Sequence, residues 1–249
     1  MSGHSKWSTI KRKKGAADAK RSKIFSKLVK DITIAVREGG PDPAANPALR
    51  VAIANAKGQS MPKSNIEKAI SKGKDKDGAN YEEVTYEGYL SHGIAVYVEC
   101  QTDNQQRTVA NVRAIFNKYD GSLGTKGSLS FLFDQKGVFL IPKSAVSLDK
   151  DEFELEMIDA GAEDIEENEE YYSVTTARED FGAMQSKLED LGIEAESANL
   201  ERVPHETITL DLERAKKIMK AIDAFEDDDD VKSVYHNLEI TDELMENLD

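Results

Sequence analysis

Residues 171–200, YYSVTTAREDFGAMQSKLEDLGIEAESANL, contain the pattern that decides the fold class. β-Branched and aromatic residues dominate the first five positions and predict a strand, and residues 194–200 predict another. Between them, Thr176 and Glu179 have the spacing of a capping box, and an apolar stripe follows at helical spacing. Residues 176–192 are therefore predicted to form a helix, which makes the stretch a strand-helix-strand unit.

The residues before this stretch extend the pattern. Apolar runs predict a strand at 138–141, a helix at 149–161 and a strand at 164–167. The order of predicted elements over residues 135–204 is then βαββαβ, which is the ferredoxin-like order. This module is predicted to be a domain of its own.

One βαβ unit precedes that module and another follows it. The first contains a strand at 94–100, a helix that Asp103 or Thr102 is predicted to cap, and a strand at 129–133. The second contains a strand at 207–210, a helix at 211–225 and a strand at 231–235. Neither unit has a partner nearby in the sequence, so the two are predicted to be halves of one discontinuous domain.

The first 80 residues are predicted to be helical. Phe25, Leu28, Ile32 and Val36 form an apolar stripe on a helix that Gly39 and the following residues end. A second helix starts with Asn46 as its cap, and a third with the capping-box pair of Ser64 and Glu67.

The predicted fold class is therefore α+β and multidomain. An N-terminal helical domain (residues 1–80) is followed by two ferredoxin-like α/β domains, one inserted in the other. Residues 81–134 plus 205–249 form the discontinuous α/β domain, and residues 135–204 form the inserted acidic βαββαβ domain.

The composition of the 249 residues is that of a globular protein, with 39% hydrophobic and 32% charged residues. No run approaches the roughly 18 apolar residues that a membrane helix needs, and the polar N-terminus lacks the apolar core of a signal peptide. Cys100 is the only cysteine, so no intramolecular disulfide forms. These features predict a cytoplasmic protein that makes no contact with a membrane.

Charge is segregated along the chain. Residues 1–80 contain 18 Lys+Arg and 7 Asp+Glu, whereas residues 81–249 contain 15 and 40, which gives a net charge of -14. Because the acidic part already provides solubility, a basic N-terminus favours contact with phosphates. The predicted nucleic-acid-binding residues are Lys6, Lys11, Arg12, Lys13, Lys14, Lys20, Arg21, Lys23, Lys27, Lys30 and Arg107. For Arg107, ion pairing with acidic neighbours is an equal alternative.

The sequence contains no pattern that indicates catalysis. The four histidines are far apart and lack the spacing of metal ligands, so no metal and no cofactor is predicted. The glycine-rich segment 121–128 follows a helix and lacks the spacing of a phosphate-binding loop, which favours a plain turn. Residues 227–230, four consecutive aspartates, lack the pattern of a calcium loop and are interpreted as a solvated acidic turn. The chain is predicted not to be an enzyme.

Short motifs distributed over the first half of the chain are similar to those of one known family. They are Gly3-His-Ser-Lys-Trp7, Gly39-Gly-Pro-Asp-Pro43, Asn46-Pro47, Leu49-Arg50, Met61-Pro62, Asn65-Ile66, Thr102-Asp-Asn104, Arg107-Thr108, Gly121, Leu123-Gly124 and Gly127-Ser128. On these motifs the chain resembles the YebC family of probable transcriptional regulatory proteins, which is related to a mitochondrial translational activator. The resemblance implies an N-terminal helical domain and two α/β domains, one inserted in the other.

The resemblance also implies two functions. The first is transcriptional regulation through DNA binding, in which the basic N-terminal domain contacts phosphates. The second is action on translation, with ribosomal or messenger RNA as the nucleic acid and the ribosome or another basic protein as partner. A third hypothesis, from a different class, is an adaptor that binds proteins through its acidic domains. DNA binding ranks first because the family description and the basic helical domain agree.

Overall fold

The computed structural model describes residues 18–75 and 80–247 of the 249-residue chain, and for residues 18–21 the backbone alone. The protein is an α+β protein, with three N-terminal helices and two four-stranded antiparallel sheets that carry further helices. It divides into two compact units. Of the described residues, one unit contains residues 24–75 and 135–201, and the other contains residues 18–23, 80–134 and 202–247.

The elements are numbered in chain order. The helices are α1 (Asp18–Gly39), α2 (Pro47–Gly58), α3 (Lys63–Lys74), α4 (Gln105–Lys118), α5 (Lys150–Asp159), α6 (Phe181–Asp190), α7 (Leu212–Glu226) and α8 (Asp242–Glu246). The strands are β1 (Glu82–Tyr89), β2 (Ala95–Thr102), β3 (Ser122–Leu123), β4 (Phe133–Pro142), β5 (Ala162–Glu167), β6 (Tyr171–Ala177), β7 (Ser197–Pro204) and β8 (Val231–His236).

The three N-terminal helices share one apolar core. The predicted stripe of α1 lies in it, because Leu28, Ile32 and Val36 are buried there together with apolar residues of α2 and α3. The Asn46 side chain accepts a hydrogen bond from the Leu49 amide at 3.0 Å, as predicted for a helix cap. The predicted Ser64–Glu67 capping box is wrong: α3 begins at Lys63, after Pro62, without a side-chain cap.

The first sheet has the strand order β3–β1–β2–β8. Apolar residues of β2 and β8 pack against α4 and α7, where the rings of Phe116 and Phe225 meet edge to face at 4.8 Å. The strand predicted at 129–133 is wrong, since turns occupy most of this segment. The strand that pairs with β1 at this edge of the sheet is β3. Of the strand predicted at 207–210, the structure shows an isolated bridge between Ile208 and Leu238.

The second sheet has the strand order β5–β6–β4–β7, and its elements follow in the order βαββαβ. Its core includes Phe139, Phe153 and Val174, all fully buried. The predicted helix start at Thr176 is wrong: β6 continues to Ala177, and α6 begins at Phe181. The ferredoxin-like assignment of both α/β domains, and the boundaries of the three domains, stay predictions.

Glu167, at the end of β5, makes the stability of the second sheet depend on pH. The ammonium groups of Lys143 and Lys150 lower the pKa of its carboxyl to about 2 from an ordinary value of 4.5. Because the folded state has the lower pKa, the stabilisation is complete above pH 4.5 and is lost as the pH falls towards 2. In urea unfolding between pH 5 and pH 2, we expect Glu167→Gln to lose less stability than the wild type. Glu169→Gln is the matched control, and identical pH profiles of all three proteins would contradict this assignment.

Candidate nucleic-acid interface

Helix α1 carries the described part of the predicted lysine ridge, Lys23, Lys27 and Lys30. At about 100° per residue these three positions share one face of the helix. Lys23 is exposed, whereas Lys27 and Lys30 are half-buried and each has an interaction partner. The Nζ atom of Lys23 lies 2.8 Å from Oδ1 of Asp227, so this lysine is ion-paired within the protein.

The remaining predicted contacts of the N-terminal segment are not tested. Lys6, Lys11, Arg12, Lys13 and Lys14 lie outside the described residues. Lys20 and Arg21 lie on α1, but their side chains are not described. Phosphate binding by these residues stays a prediction.

Arg107 lies in the first turn of α4, where Asn104 caps the helix by accepting a hydrogen bond from the Arg107 amide at 3.0 Å. The predicted cap, Asp103 or Thr102, is therefore wrong by one or two residues. The guanidinium forms a bidentate pair with Asp230, with Nε donating to Oδ2 at 3.0 Å and Nη2 to Oδ1 at 2.8 Å. Nη2 also donates to Oδ1 of Asp103 at 2.9 Å. The hydrogen bonds to Asp230 and Asp103 raise the pKa of the Arg107 guanidinium.

Asp230 is the buried centre of this cluster, with a relative exposure of 5%. Besides Arg107, its carboxylate accepts a hydrogen bond from the Thr108 hydroxyl at 2.9 Å. Its own amide donates to Asp228 at 2.9 Å, and its carbonyl accepts from the Gln101 amide at 2.8 Å. The interpretation of residues 227–230 as a solvated turn is therefore wrong for Asp230, which joins the turn to β2 and α4.

Lys23 and Arg107 are thus both bonded to one acidic turn, residues 227–230. For Arg107 the structure shows the ion-paired alternative, although its side chain keeps 47% of its exposure. Sequence reasoning noticed the motif around Thr102 and Arg107, but not its acidic partner. The two ends of the Arg107–Asp230 pair are 123 residues apart, so no local pattern indicates it.

Glu87 on β1 is a second residue that sequence reasoning missed. Its side chain is 3% exposed, and its carboxylate accepts the backbone amides of Gly127 at 2.7 Å and Leu129 at 2.6 Å. Its backbone carbonyl accepts the Gly124 amide at 2.7 Å. The amides that a phosphate-binding loop would offer to a ligand are bonded to Glu87 instead, in agreement with the predicted turn.

The described residues offer neither a metal-binding cluster nor a membrane-spanning helix. Residues 18–75 and 80–247 contain no group of three or more His, Cys, Asp or Glu side chains arranged to hold a metal ion. Within the same part of the chain, no helix combines the length and apolar character needed to span a membrane.

The sequence of this chain is similar to the sequences of known proteins of one family. Residues 5–76 match the model of the TACO1/YebC N-terminal domain, and residues 81–238 match that of the TACO1/YebC second and third domain. A probable transcriptional regulatory protein of Amoebophilus asiaticus is 52% identical over 240 residues, which is 96% of this chain and 98% of the relative. One from Geobacter sp. strain M21 is 49% identical over the full length of both chains.

A solved structure shares the fold as well. The crystal structure of a conserved hypothetical protein from Aquifex aeolicus superimposes with a TM-score of 0.81 at 42% sequence identity. The match covers 90% of this chain and 93% of that one. The resemblance inferred from the sequence motifs is confirmed by the family models and the relatives together.

Proposed function

Because the chain belongs to the TACO1/YebC family, a non-enzymatic family with members named probable transcriptional regulatory proteins, we propose that it is a DNA-binding transcriptional regulator. In this proposal the basic N-terminal domain, residues 1–80, holds the phosphate backbone. A cytoplasmic location, which the sequence predicts, is part of the same proposal.

The opposite charge of the two parts of the chain is the observation that carries this proposal. Residues 1–80 have 18 basic and 7 acidic side chains, although the whole chain has a net charge of -14. Lysines interact with phosphates mainly as point charges, so they hold and orient the nucleic acid more than they read its bases. Sequence preference would then come from other contacts or from DNA shape.

A charge-reversal experiment tests the proposal. We expect Lys11→Glu, Lys13→Glu and Lys14→Glu together to weaken binding to duplex DNA by about tenfold or more. The slope of log affinity against log salt should fall by about 3, since each phosphate contact contributes about 0.9. Fluorescence anisotropy at several salt concentrations measures both quantities. Lys23 is left unchanged because its replacement would break the pair with Asp227.

The matched control reverses the charge of three exposed lysines of α3 by Lys63→Glu, Lys68→Glu and Lys72→Glu. It changes the net charge by the same amount at positions that are not among the predicted phosphate contacts, so we expect a much smaller loss of affinity. An equal loss in both triple variants would contradict the proposal, because net charge alone would then govern binding. Full affinity of the Lys11, Lys13 and Lys14 variant would contradict it as well.

Crosslinking in cells followed by sequencing of the bound nucleic acid separates the candidate functions. Promoter DNA that is recovered with the wild type and lost with the Lys11, Lys13 and Lys14 variant would support transcriptional regulation. Ribosomal or messenger RNA with the same dependence would assign the function to translation instead. Recovery no higher than that of the variant would favour the adaptor hypothesis.

A further inference from the structure

Helix α5 exposes a surface that combines two large aliphatic side chains with three carboxylates. Leu155 and Ile158 keep 64% and 58% of their exposure. Asp151, Glu152 and Asp159 are exposed on the same helix. At about 100° per residue, all five positions fall within an arc of about 120°. We call these five residues the α5 surface.

The core of the second sheet does not require these two aliphatic side chains. The opposite face of α5 supplies Phe153 and Met157, which are fully buried. The rings of Phe153 and Tyr172 lie 4.5 Å apart and fix the helix against the sheet. Leu155 and Ile158 are therefore exposed on a helix that is already anchored, which is a feature of interaction surfaces.

The surroundings of the α5 surface are strongly negative. Residues 149–170 contain twelve Asp and Glu residues and one basic residue, Lys150. Lys150 is bound to Glu167 and lies near Glu154, so its charge is already paired. Asp159 ends the helix, where the helix dipole adds further negative potential.

The negative charge of the α5 surface determines which class of molecule can bind there. Nucleic acids and anionic membranes are repelled by an acidic surface, and a second copy of α5 would bring like charges together. A basic segment with apolar side chains on one face complements both the carboxylates and the aliphatic pair. We propose that the α5 surface binds a basic, amphipathic segment of a partner protein. This proposal goes beyond DNA binding and does not depend on it.

Two synthetic peptides of identical composition test the proposal on the full-length protein. Both contain leucine and arginine, but only one places its leucines at the i, i+3, i+4 and i+7 positions of a helix. Fluorescence anisotropy gives the affinity for each peptide. We expect the wild type to bind the amphipathic peptide about tenfold more tightly than the scrambled one, because only the former buries Leu155 and Ile158.

Two variants locate the binding. The double variant Leu155→Ser and Ile158→Ser should lose the preference for the amphipathic peptide, while Phe131→Ser, which removes a side chain that is 66% exposed elsewhere, should keep it. Glu152→Lys with Asp159→Lys should weaken binding of both peptides more than Glu206→Lys with Glu213→Lys does. Because all these side chains are exposed, the variants should fold, which circular dichroism checks.

Three results would overturn the proposal. The first is equal binding of both peptides by the wild type, because charge alone would then govern binding. The second is a Leu155 and Ile158 variant that discriminates between the peptides as the wild type does. Alternatively, sedimentation would show that this variant changes self-association and leaves peptide binding intact, which would assign the surface to a second copy.

Discussion

Replacing Asp230 by alanine is expected to lower the free energy of unfolding by about 3 kcal/mol. The substitution removes the buried carboxylate that accepts hydrogen bonds from Arg107 and Thr108. Thr108 is fully buried, and its hydroxyl would lose this partner while it keeps the Thr102 hydroxyl at 2.8 Å and the Asn104 carbonyl at 3.0 Å. Since Arg107 remains 47% exposed, water compensates part of its loss, which places the effect at the lower end for a buried ion pair.

Urea unfolding of three proteins checks this result. Asp229→Ala is the matched control, because it makes the same chemical change at an exposed neighbour in the turn, and we expect it to cost less than about 1 kcal/mol. Asp230→Asn keeps the shape of the side chain but not its charge and should lie between the two. Equal stability of the Asp230 and Asp229 alanine variants would show that the cluster contributes nothing.

Replacing Glu87 by alanine is expected to cost about 2 to 4 kcal/mol and to release the glycine-rich turn. Its carboxylate is the acceptor for the amides of Gly127 and Leu129, and the Leu129 side chain is fully buried. Hydrogen bonds to a charged acceptor are worth about 1.5 to 3 kcal/mol each, and their loss leaves the buried Leu129 amide without its acceptor, whereas water can reach the exposed Gly127.

Hydrogen exchange at the Leu129 amide distinguishes this role from a general loss of stability. We expect exchange at Leu129 to accelerate more in the Glu87→Ala protein than exchange in the core of the second sheet. Glu87→Gln should restore part of the protection, because an amide has one acceptor oxygen where the carboxylate has two. Glu82→Ala changes an exposed residue of the same strand and serves as control. Unchanged exchange at Leu129 would refute the assignment.

The helices and longer strands could be predicted where local patterns and tertiary packing agree. Asn46, Asp149 and Asp211 each cap the helix that the sequence indicates, because capping depends only on neighbouring residues. Thr176 shows the limit of such patterns. Its spacing to Glu179 suggests a cap, but Thr176 pairs with Gly137 and is fully buried in the sheet. Sheet pairing therefore overrides the local preference.

Short and long-range features could not be predicted from the sequence. Strand β3 has two residues, which is too short for an alternating pattern. The apolar residues at 129–133 suggest a strand, yet Leu129 lies in a turn that Glu87 fixes from another strand, and its side chain is buried in a cluster with Tyr97 and Tyr235. The charge of the candidate interface was visible in the composition, whereas the partners of Lys23 and Arg107 lie 204 and 123 residues away.

The position of β8 in the first sheet sets an order on folding during synthesis. Strand β8 pairs with β2, so residues 231–236 complete a sheet that begins at Glu82. The strands of the second sheet all lie within residues 133–204, so they are synthesised before β8. Domains generally fold as units in the order of their synthesis. Until β8 emerges, one edge of β2 has unpaired backbone amides and carbonyls, which can pair with another chain. Truncation before Val231 should therefore produce an aggregation-prone protein.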